Sequence, residues 1–258
     1  MRINITVPVL NEENKLEASI SRVVRFVEEH LTTHRFEIVI ADNGSSDQTP
    51  EIGQELSRRY PSVKYLHIGE RGRGRALSQV WLASDADIMS YMDVDLSSDL
   101  EDFPRLIQPL VYGRADIAIG SRLLPESTVT RCFRREIISR AYSTILRVTF
   151  RTTIRDAQCG FKAATGAAVR HLVPQVEDCF WFWDTELLLL AEKQGFRVEE
   201  LPIRWVESRD SRVAIVQTAR DNLHGLYRLR KAFQQGQPNG VTTTSLSAGG
   251  PRPPLAGR

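Results

Sequence analysis

The sequence predicts an α/β fold, a mixed but mostly parallel sheet flanked by helices. Three observations carry that expectation. Short β-branched or apolar runs alternate with amphipathic helical runs through about residue 120. The runs of strand type end in polar or glycine-bearing loops. A chain of 258 residues with 41% hydrophobic content can also bury a sizeable core. Such alternation implies right-handed βαβ units, and open sheets of this kind take ligands outside the carboxyl ends of their strands.

Taken in order, residues 3–9 are a β-branched run containing Pro8, followed by the polar stretch Asn11-Glu12-Glu13-Asn14. A helix over 15–30 places Leu16, Ile20, Val23, Val24 and Val27 at helical spacing, so it covers one sheet face. Residues 36–41 form a second strand, ending in a turn-rich stretch from Asp42 to Pro50 in which Thr49 is placed to cap the next helix. A helix over 51–60, a strand over 63–68, a helix over 73–83 and a strand over 88–92 follow. A helix lies around 99–112 and a fifth strand over 115–120.

Beyond Gly120 the pattern changes. Residues 123–130 read as a loop and 131–151 as a long helix. At 100° per residue, Ile137, Ile138, Ala141, Tyr142, Ile145 and Val148 share one broad face, opposite Arg140, Arg147 and Arg151. A glycine-containing loop over 156–162 and a small-residue segment precede an apolar helix that opens at residues 181–186 and closes at Gly195. Residues 196–206 form a strand region broken by Pro202, which suggests a sheet edge. A charged loop over 207–212 and a basic helix over 214–233 complete a domain of residues 1–233. Its first half is 1–120 and its second 121–233. The tail, 234–258, is rich in Gly, Pro, Ser and Thr and is expected to be disordered.

Charge and composition exclude several classes. Net charge is +2, with 34 basic and 32 acidic residues, so there is no global field of the nucleic-acid-binding kind. Cys132, Cys159 and Cys179 show no Cys-x-x-Cys spacing, which argues for free thiols in a reducing compartment and against zinc. No secretion signal is recognisable, and the longest apolar run, 187–191, is far below the roughly 20 residues of a membrane span. The expected location is therefore cytoplasmic.

Asp93-Val94-Asp95 sets two carboxylates one residue apart where a buried strand ends. Carboxylate oxygens there suit a hard cation such as Mg²⁺ or Mn²⁺, completed by substrate phosphates. The bland reading is a solvated loop with Asp99 as a helix cap. Convergence of this pair with the strand ends at Pro8 to Glu12 and at Asp42 on one sheet edge favours a site. The glycine loop over 69–76 opens a helix, where amides and dipole suit a phosphate, although a surface loop is the alternative. Its spacing and place do not fit a dinucleotide fingerprint. Arg134 and Arg135 break the sorting of their helix and suggest an anion, unless Glu136 or Asp156 pairs with them. Asp184 and Glu186 lie in a first helical turn, where Glu186 reads as a partner of the helix dipole.

These motifs, in order, are Val7-Pro8-Val9-Leu10-Asn11-Glu12-Glu13, Asp42-Asn43-Gly44-Ser45-Ser46-Asp47, Gly72-Arg73-Gly74-Arg75-Ala76, Met92-Asp93-Val94-Asp95-Leu96 and Gly120-Ser121-Arg122. Asp156-Ala157-Gln158-Cys159-Gly160-Phe161-Lys162 and Trp183-Asp184-Thr185-Glu186-Leu187-Leu188 follow. The set, spanning about residues 3–232, resembles the inverting nucleotide-sugar glycosyltransferases of the Rossmann-like GT-A fold. Within them it is similar to the enzymes that make polyprenyl-phosphate sugars, the dolichyl-phosphate glucosyl- and mannosyltransferases.

The resemblance implies that Pro8, Asn11, Glu12 and Asp42 hold the donor's base and ribose, with Arg73 near them or near the phosphates. It implies that Asp93, Val94 and Asp95 serve ribose and metal-bound diphosphate, Asp95 being the firmer ligand. Mannosyl relatives place a metal-binding glutamine where this chain has Ser97, so Ser97 or water takes that place. Arg122, Arg134 and Arg135 match arginines that bind the acceptor phosphate. Ser211-Arg212 stands where relatives carry Ser-Lys near the donor phosphates.

The implied catalytic set is Asp93, Asp95, Arg122, Arg134 and Arg135, with Asp156 and Asp184 also on the acceptor side. The implied reaction moves a hexose from a UDP- or GDP-sugar, UDP-glucose being slightly favoured, to polyprenyl phosphate with inversion. A phosphate acceptor needs orienting rather than deprotonation; a hydroxyl acceptor would use Asp156 or Asp184 as base. The alternatives are a soluble enzyme acting on a hydroxyl and an inactive nucleotide-sugar-binding module. The helices over 131–151 and 214–233 are expected to rest on an anionic membrane surface, making the protein peripheral.

Overall fold

The computed structural model describes residues 1–207 and 215–235. The strands are β1 (Arg2–Val9), β2 (Arg35–Asp42), β3 (Val63–His67), β4 (Ile88–Met92), β5 (Ile117–Ser121), β6 (Thr128–Thr130), β7 (Phe161–Thr165), β8 (Val198–Pro202) and β9 (Arg204–Val206). Seven of them form one sheet in the order β3-β2-β1-β4-β7-β5-β8, and β6 pairs with β9 in a small parallel ribbon. The α-helices are α1 (Leu16–His30), α2 (Thr49–Arg59), α3 (Arg73–Ala83), α4 (Phe103–Val111), α5 (Phe133–Phe150), α6 (Gly166–Leu172), α7 (Trp183–Lys193) and α8 (Ile215–Gln234). The mixed, mostly parallel α/β architecture expected from the sequence is thus present.

Alternation along the strands sends side chains into two cores. Ile5, Val7, Ile38, Ile40 and Ile88 join one cluster with α1 residues Leu16, Ile20, Val23, Val24 and Val27. Val39, Ala41, Met89 and Tyr91 point to the other, with Leu77 and Trp81 of α3, Val169 of α6 and Leu187 to Leu190 of α7. Burial on both faces is what makes the central strands read as near-continuous apolar runs.

Several elements depart from the sequence reading. The small-residue segment after the 156–162 loop is β7, which runs antiparallel between β4 and β5. Alanines at 163 and 164 and a lysine at 162 hide its strand character, yet every residue from Phe161 to Ala164 is buried. The loop expected over 123–130 contains β6, because its backbone pairs with β9. Helix α2 starts at Thr49 without a side-chain cap, since the Thr49 hydroxyl accepts the Glu12 amide at 2.8 Å instead. β8 forms the predicted edge, with Pro202 as its last residue.

The largest departure concerns α5. Most of its apolar face does not cover a core, Tyr142 excepted: Phe133 is 75% exposed and Val148 76%, and Ile137, Ile138 and Ile145 are exposed as well. The helix is held from behind by buried Leu146, by a Tyr142 hydroxyl 3.0 Å from that of Thr185, and by Phe150 edge-on to Phe233 of α8. Helix α8 docks through Leu226, Leu229 and Gly225, the last against Phe182. Glu186, read as a dipole partner, is fully buried and binds Arg228 of α8 at 2.7 Å. It is a docking anchor, with the Asp178 amide donating to the same carboxylate at 2.9 Å. The expected tail beyond residue 235 lies outside the described residues.

A methyl group at position 225 would collide with the Phe182 ring. Overpacking costs about 1–3 kcal/mol against a helix-propensity gain of at most about 1 kcal/mol. Gly225→Ala is therefore expected to lower the urea midpoint by the equivalent of about 1–2 kcal/mol; an unchanged midpoint would mean that α8 does not seat on Phe182.

Candidate active site

Parallel β1, β2 and β4 deliver three loops to one sheet edge, where hydrogen bonds tie them together. Asn11, with positive φ, receives the Ser46 amide on its side-chain oxygen at 2.8 Å and donates its own amide to Ser45 Oγ at 2.9 Å. Pro8 is buried in β1, and the Glu12 carbonyl accepts the amides that begin α1. The Asp42 carboxylate is wholly enclosed by the Tyr65 hydroxyl at 2.6 Å, the Ser45 amide at 2.9 Å and His67 Nδ1 at 3.3 Å. Burial pushes its carboxyl up, but those donors outweigh it and hold Asp42 below the usual carboxylate range. Asp42, expected at the base and ribose, shapes the 43–45 loop rather than presenting a free carboxylate.

The glycine loop also differs from its reading. The Gly72 amide donates to Asn43 Oδ1 at 2.5 Å, and the Arg75 amide to the Cys179 carbonyl at 3.0 Å. Gly72 sits at φ 152°, and a Cβ there would meet the Cys179 oxygen at 2.6 Å. These amides are spent inside the protein, so the start of α3 is not an open phosphate cradle. Arg73 turns inward and is 9% exposed. Its guanidinium binds Asp184 at 2.6 Å and Asp93 at 2.8 Å, and lies 4.9 and 5.1 Å from the ring centroids of Tyr91 and Trp181.

Asp184 also takes Lys162 Nζ at 3.0 Å and the Tyr91 hydroxyl. Burial pushes its carboxyl up, and Lys162 and Arg73 overcome this and hold it low. Asp156 is held likewise: Arg122 grips it through Nε at 2.7 Å, Nη2 at 2.9 Å and its amide at 2.9 Å, and its carboxyl stays below the usual range despite complete burial. Both carboxylates expected to serve as base for a hydroxyl are thus saturated with donors and poor proton acceptors.

Asp93 and Asp95 are the partly open pair. Asp93 keeps 45% of its side chain exposed, and a Cβ on Gly160 would run into its carboxylate. Burial, then the charge of Asp93, pushes the Asp95 carboxyl above its usual value. The Ser97 amide donates to Asp95 Oδ1 at 3.0 Å, and Ser97 Oγ lies buried without a well-formed hydrogen bond. Two repelling carboxylates beside an orphaned hydroxyl fit a hard divalent cation. Among the described residues no group of three or more His, Cys, Asp or Glu is placed to hold a metal ion.

On the acceptor side, Arg122 lies 5.4 Å from the Trp205 ring and within the field of Asp93. Arg135 is held by Glu207 at 2.8 Å, whereas Arg134 is exposed and has no ion pair among the described residues. The structure therefore gathers Arg73, Asp93, Asp95, Arg122, Asp156 and Asp184, and leaves Arg134 and Arg135 on the first turn of α5 out of contact with these carboxylates. Arg212 lies outside the described residues. Sequence reasoning missed Lys162, Tyr91 and Trp181. A lysine inside an otherwise apolar strand was the available signal for the first.

The sequence profile described as Glycosyl transferase family 2 matches residues 4–172. Glycosyltransferase AglD of Haloferax volcanii is 36% identical over 217 residues, 84% of this chain but 35% of AglD. This chain therefore spans about a third of that relative's length. The dolichyl-phosphate beta-glucosyltransferase of Saccharomyces cerevisiae is 26% identical, with 91% of this chain and 75% of that protein covered. The Drosophila melanogaster protein of the same name is 28% identical, with 83% and 69% covered. Among solved structures, glucosyl-3-phosphoglycerate synthase of Mycobacterium tuberculosis with UDP superposes with a TM-score of 0.67 at 18% identity, covering 89% of this chain and 80% of that one. The shared fold is GT-A.

Removing the charge of Asp184 strands Lys162 in the core. Asp184→Asn is expected to cost about 3–5 kcal/mol at pH 7 in denaturant unfolding. Because the folded carboxyl is held below 3.8, the ordinary value, its stabilisation is complete above that pH and is lost as pH falls through the folded value. The gap between wild type and Asp184→Asn should therefore narrow below pH 3.8; a gap that stays constant would show that the charge is not what stabilises.

Proposed function

The chain belongs to glycosyl transferase family 2, and from that membership we propose a metal-dependent, inverting transfer of a hexose from a UDP-sugar to polyprenyl phosphate. The observation that carries this reading is the saturation of Asp156 and Asp184. With both held low by arginine and lysine, the site suits an acceptor that needs no deprotonation, and a phosphate monoester oxygen is already anionic at pH 7. UDP-glucose is the donor favoured by two namesakes: the yeast relative is a dolichyl-phosphate beta-glucosyltransferase, and the mycobacterial synthase has been crystallised with Mn²⁺ and UDP-glucose.

Asp93, Asp95 and Ser97 would hold the cation, which when bound supplies charge neutralisation for the departing diphosphate. The protein's own residues do the rest. Arg73, clamped by Asp184, fixes Asp93. Arg134 and Arg135 orient the acceptor phosphate, Arg135 exchanging Glu207 for it. An acceptor phosphate oxygen attacks the anomeric carbon from the face opposite the diphosphate. The carbon–oxygen bond to the diphosphate breaks, its electron pair leaves with the nucleotide, and no proton moves. The anomeric configuration is inverted.

The exposed face of α5 supports a lipid acceptor. Phe133, Ile137, Ile138, Ile145 and Val148 share it with Arg134. The outer face of α8 adds Arg220, Leu223, Tyr227, Arg230 and Lys231. Apolar side chains rimmed by cations match the interface of an anionic bilayer. No helix among the described residues is long and apolar enough to cross a membrane, so the attachment proposed is peripheral.

UDP-glucose with Mn²⁺ is expected to raise the melting temperature, by the equivalent of about 2.7 kcal/mol at a hundred times Kd, and labelled glucose should pass to polyprenyl phosphate. Equal transfer to unphosphorylated polyprenol would overturn the reading. Replacing both Ile137 and Val148 by Asp should reduce binding to anionic vesicles at least about tenfold, given about 0.8 kcal/mol per buried methylene, while activity on a short-chain, water-soluble acceptor persists. Retained vesicle binding would remove α5 from the membrane contact.

A further inference from the structure

We propose that Trp181 is the platform on which the apolar face of the donor's hexose lies, and so helps to decide which sugar is accepted. The inference rests on the glycosyl-transfer reading and assigns it a residue that the carboxylate and arginine motifs do not include. Trp181 belongs to a run of four aromatic residues, Phe180 to Trp183, that divides sharply. Phe182 and Trp183 are 1% and 0% exposed and build the core, whereas Trp181 remains 44% exposed. Trp81 is also buried, and Trp205 is half-buried over Arg122.

The segment that carries Trp181 is braced. The Asp178 carboxylate accepts the Phe180 amide at 2.7 Å and the Trp183 amide at 3.1 Å, bridging the residues on both sides of Trp181. The Asp178 amide in turn donates to buried Glu186 at 2.9 Å, and the neighbouring Cys179 carbonyl accepts the Arg75 amide at 3.0 Å. An exposed indole is thus held on a fixed frame, the pre-organisation that a recognition surface requires.

Its position gives the ligand. The Trp181 ring lies 5.1 Å from Arg73 Cζ, and the same guanidinium binds Asp93 at 2.8 Å. One guanidinium therefore separates the indole from the carboxylate pair that would receive the donor diphosphate, and the sugar is the part of the donor next to that diphosphate. Hexopyranoses carry a patch of C–H bonds on one face. Such a patch packs on an aromatic ring through apolar contact, while the ring's extended surface leaves the sugar hydroxyls to polar partners. Arg73 also lies 4.9 Å from the Tyr91 ring centroid.

The test compares binding of UDP and of UDP-glucose, both with Mn²⁺, to wild type, Trp181→Ala and Trp181→Phe by calorimetry, with melting curves to establish folding. A platform predicts that Trp181→Ala leaves the UDP dissociation constant within twofold and weakens UDP-glucose about tenfold or more, with Trp181→Phe in between. Equal weakening of both ligands would make Trp181 a cover for Arg73 and overturn the proposal. Unchanged binding of both, with loss of binding to anionic vesicles, would make it a membrane contact and overturn it as well. If wild type binds neither ligand but binds another nucleotide sugar, the same comparison with that sugar and its nucleotide decides. If it binds none, the glycosyl-transfer reading itself fails and takes the platform with it.

Discussion

The buried guanidinium of Arg73 is the constraint around which the sheet edge is organised. It joins the start of α3 to Asp93 after β4 and to Asp184 in the first turn of α7. A charge so far from water costs several kcal/mol unless paired and hydrogen-bonded. Here the pairing is complete: Arg73 and Lys162 face Asp93 and Asp184, two cations and two anions, with the Tyr91 hydroxyl filling a remaining valence of Asp184. The charge of this cluster sums to zero only when every member is present. That couples the position of the open carboxylate Asp93 to residues on three separate elements, including β7, the one strand of the main sheet that runs against its neighbours.

This arrangement explains which parts of the molecule were legible in the sequence. The alternation of β1 to β5 with α1 to α4 was readable because both periods are written in apolar residues on both faces of the sheet. β7 was not, because its strand character rests on fitting between β4 and β5, and Ala163 and Ala164 carry little intrinsic preference for it. The convergence of Asp42 and Asp93 at one edge followed from strand order. The enclosure of Asp42 by Tyr65 and His67 did not, since both partners come from β3 and reach it only through parallel pairing. Asp184 was placed at a helix start and on the acceptor side, but its partners lie 22 residues away at Lys162 and 111 away at Arg73.

Helix α5 shows the complementary gap. A stripe of apolar residues at helical spacing says that a face avoids water, not what covers it. The same pattern would serve a core helix, a dimer contact or a lipid surface. In the fold most of the stripe faces outward because Leu146 and Phe150, on the other side, and Tyr142, at the stripe's margin, already dock α5 against the α7 and α8 layer. The arginines then acquire a different meaning. On a core helix Arg134 would be an anomaly among apolar neighbours, whereas on an outward face it sits where anionic groups can approach.

Charge balance also bears on how a donor enters. Asp93 is neutralised by Arg73, but Asp95 lies partly buried beside it, its carboxyl pushed up by burial and by that same neighbour. Adding the diphosphate of a nucleotide sugar alone would bring further negative charge against this pair. Adding a divalent cation alone would relieve Asp95 yet leave positive charge in excess of what the site holds. Together the two are close to neutral, so the arrangement favours their joint binding over that of either one. Asp156 and Asp184 obey the same balance, each being matched to a buried cation; for the proposed phosphate acceptor, that removes two charges that would otherwise repel it. On the proposed reading, such a site would discriminate against wrong arrivals by leaving them unbalanced, with no moving proton required of any of its carboxylates.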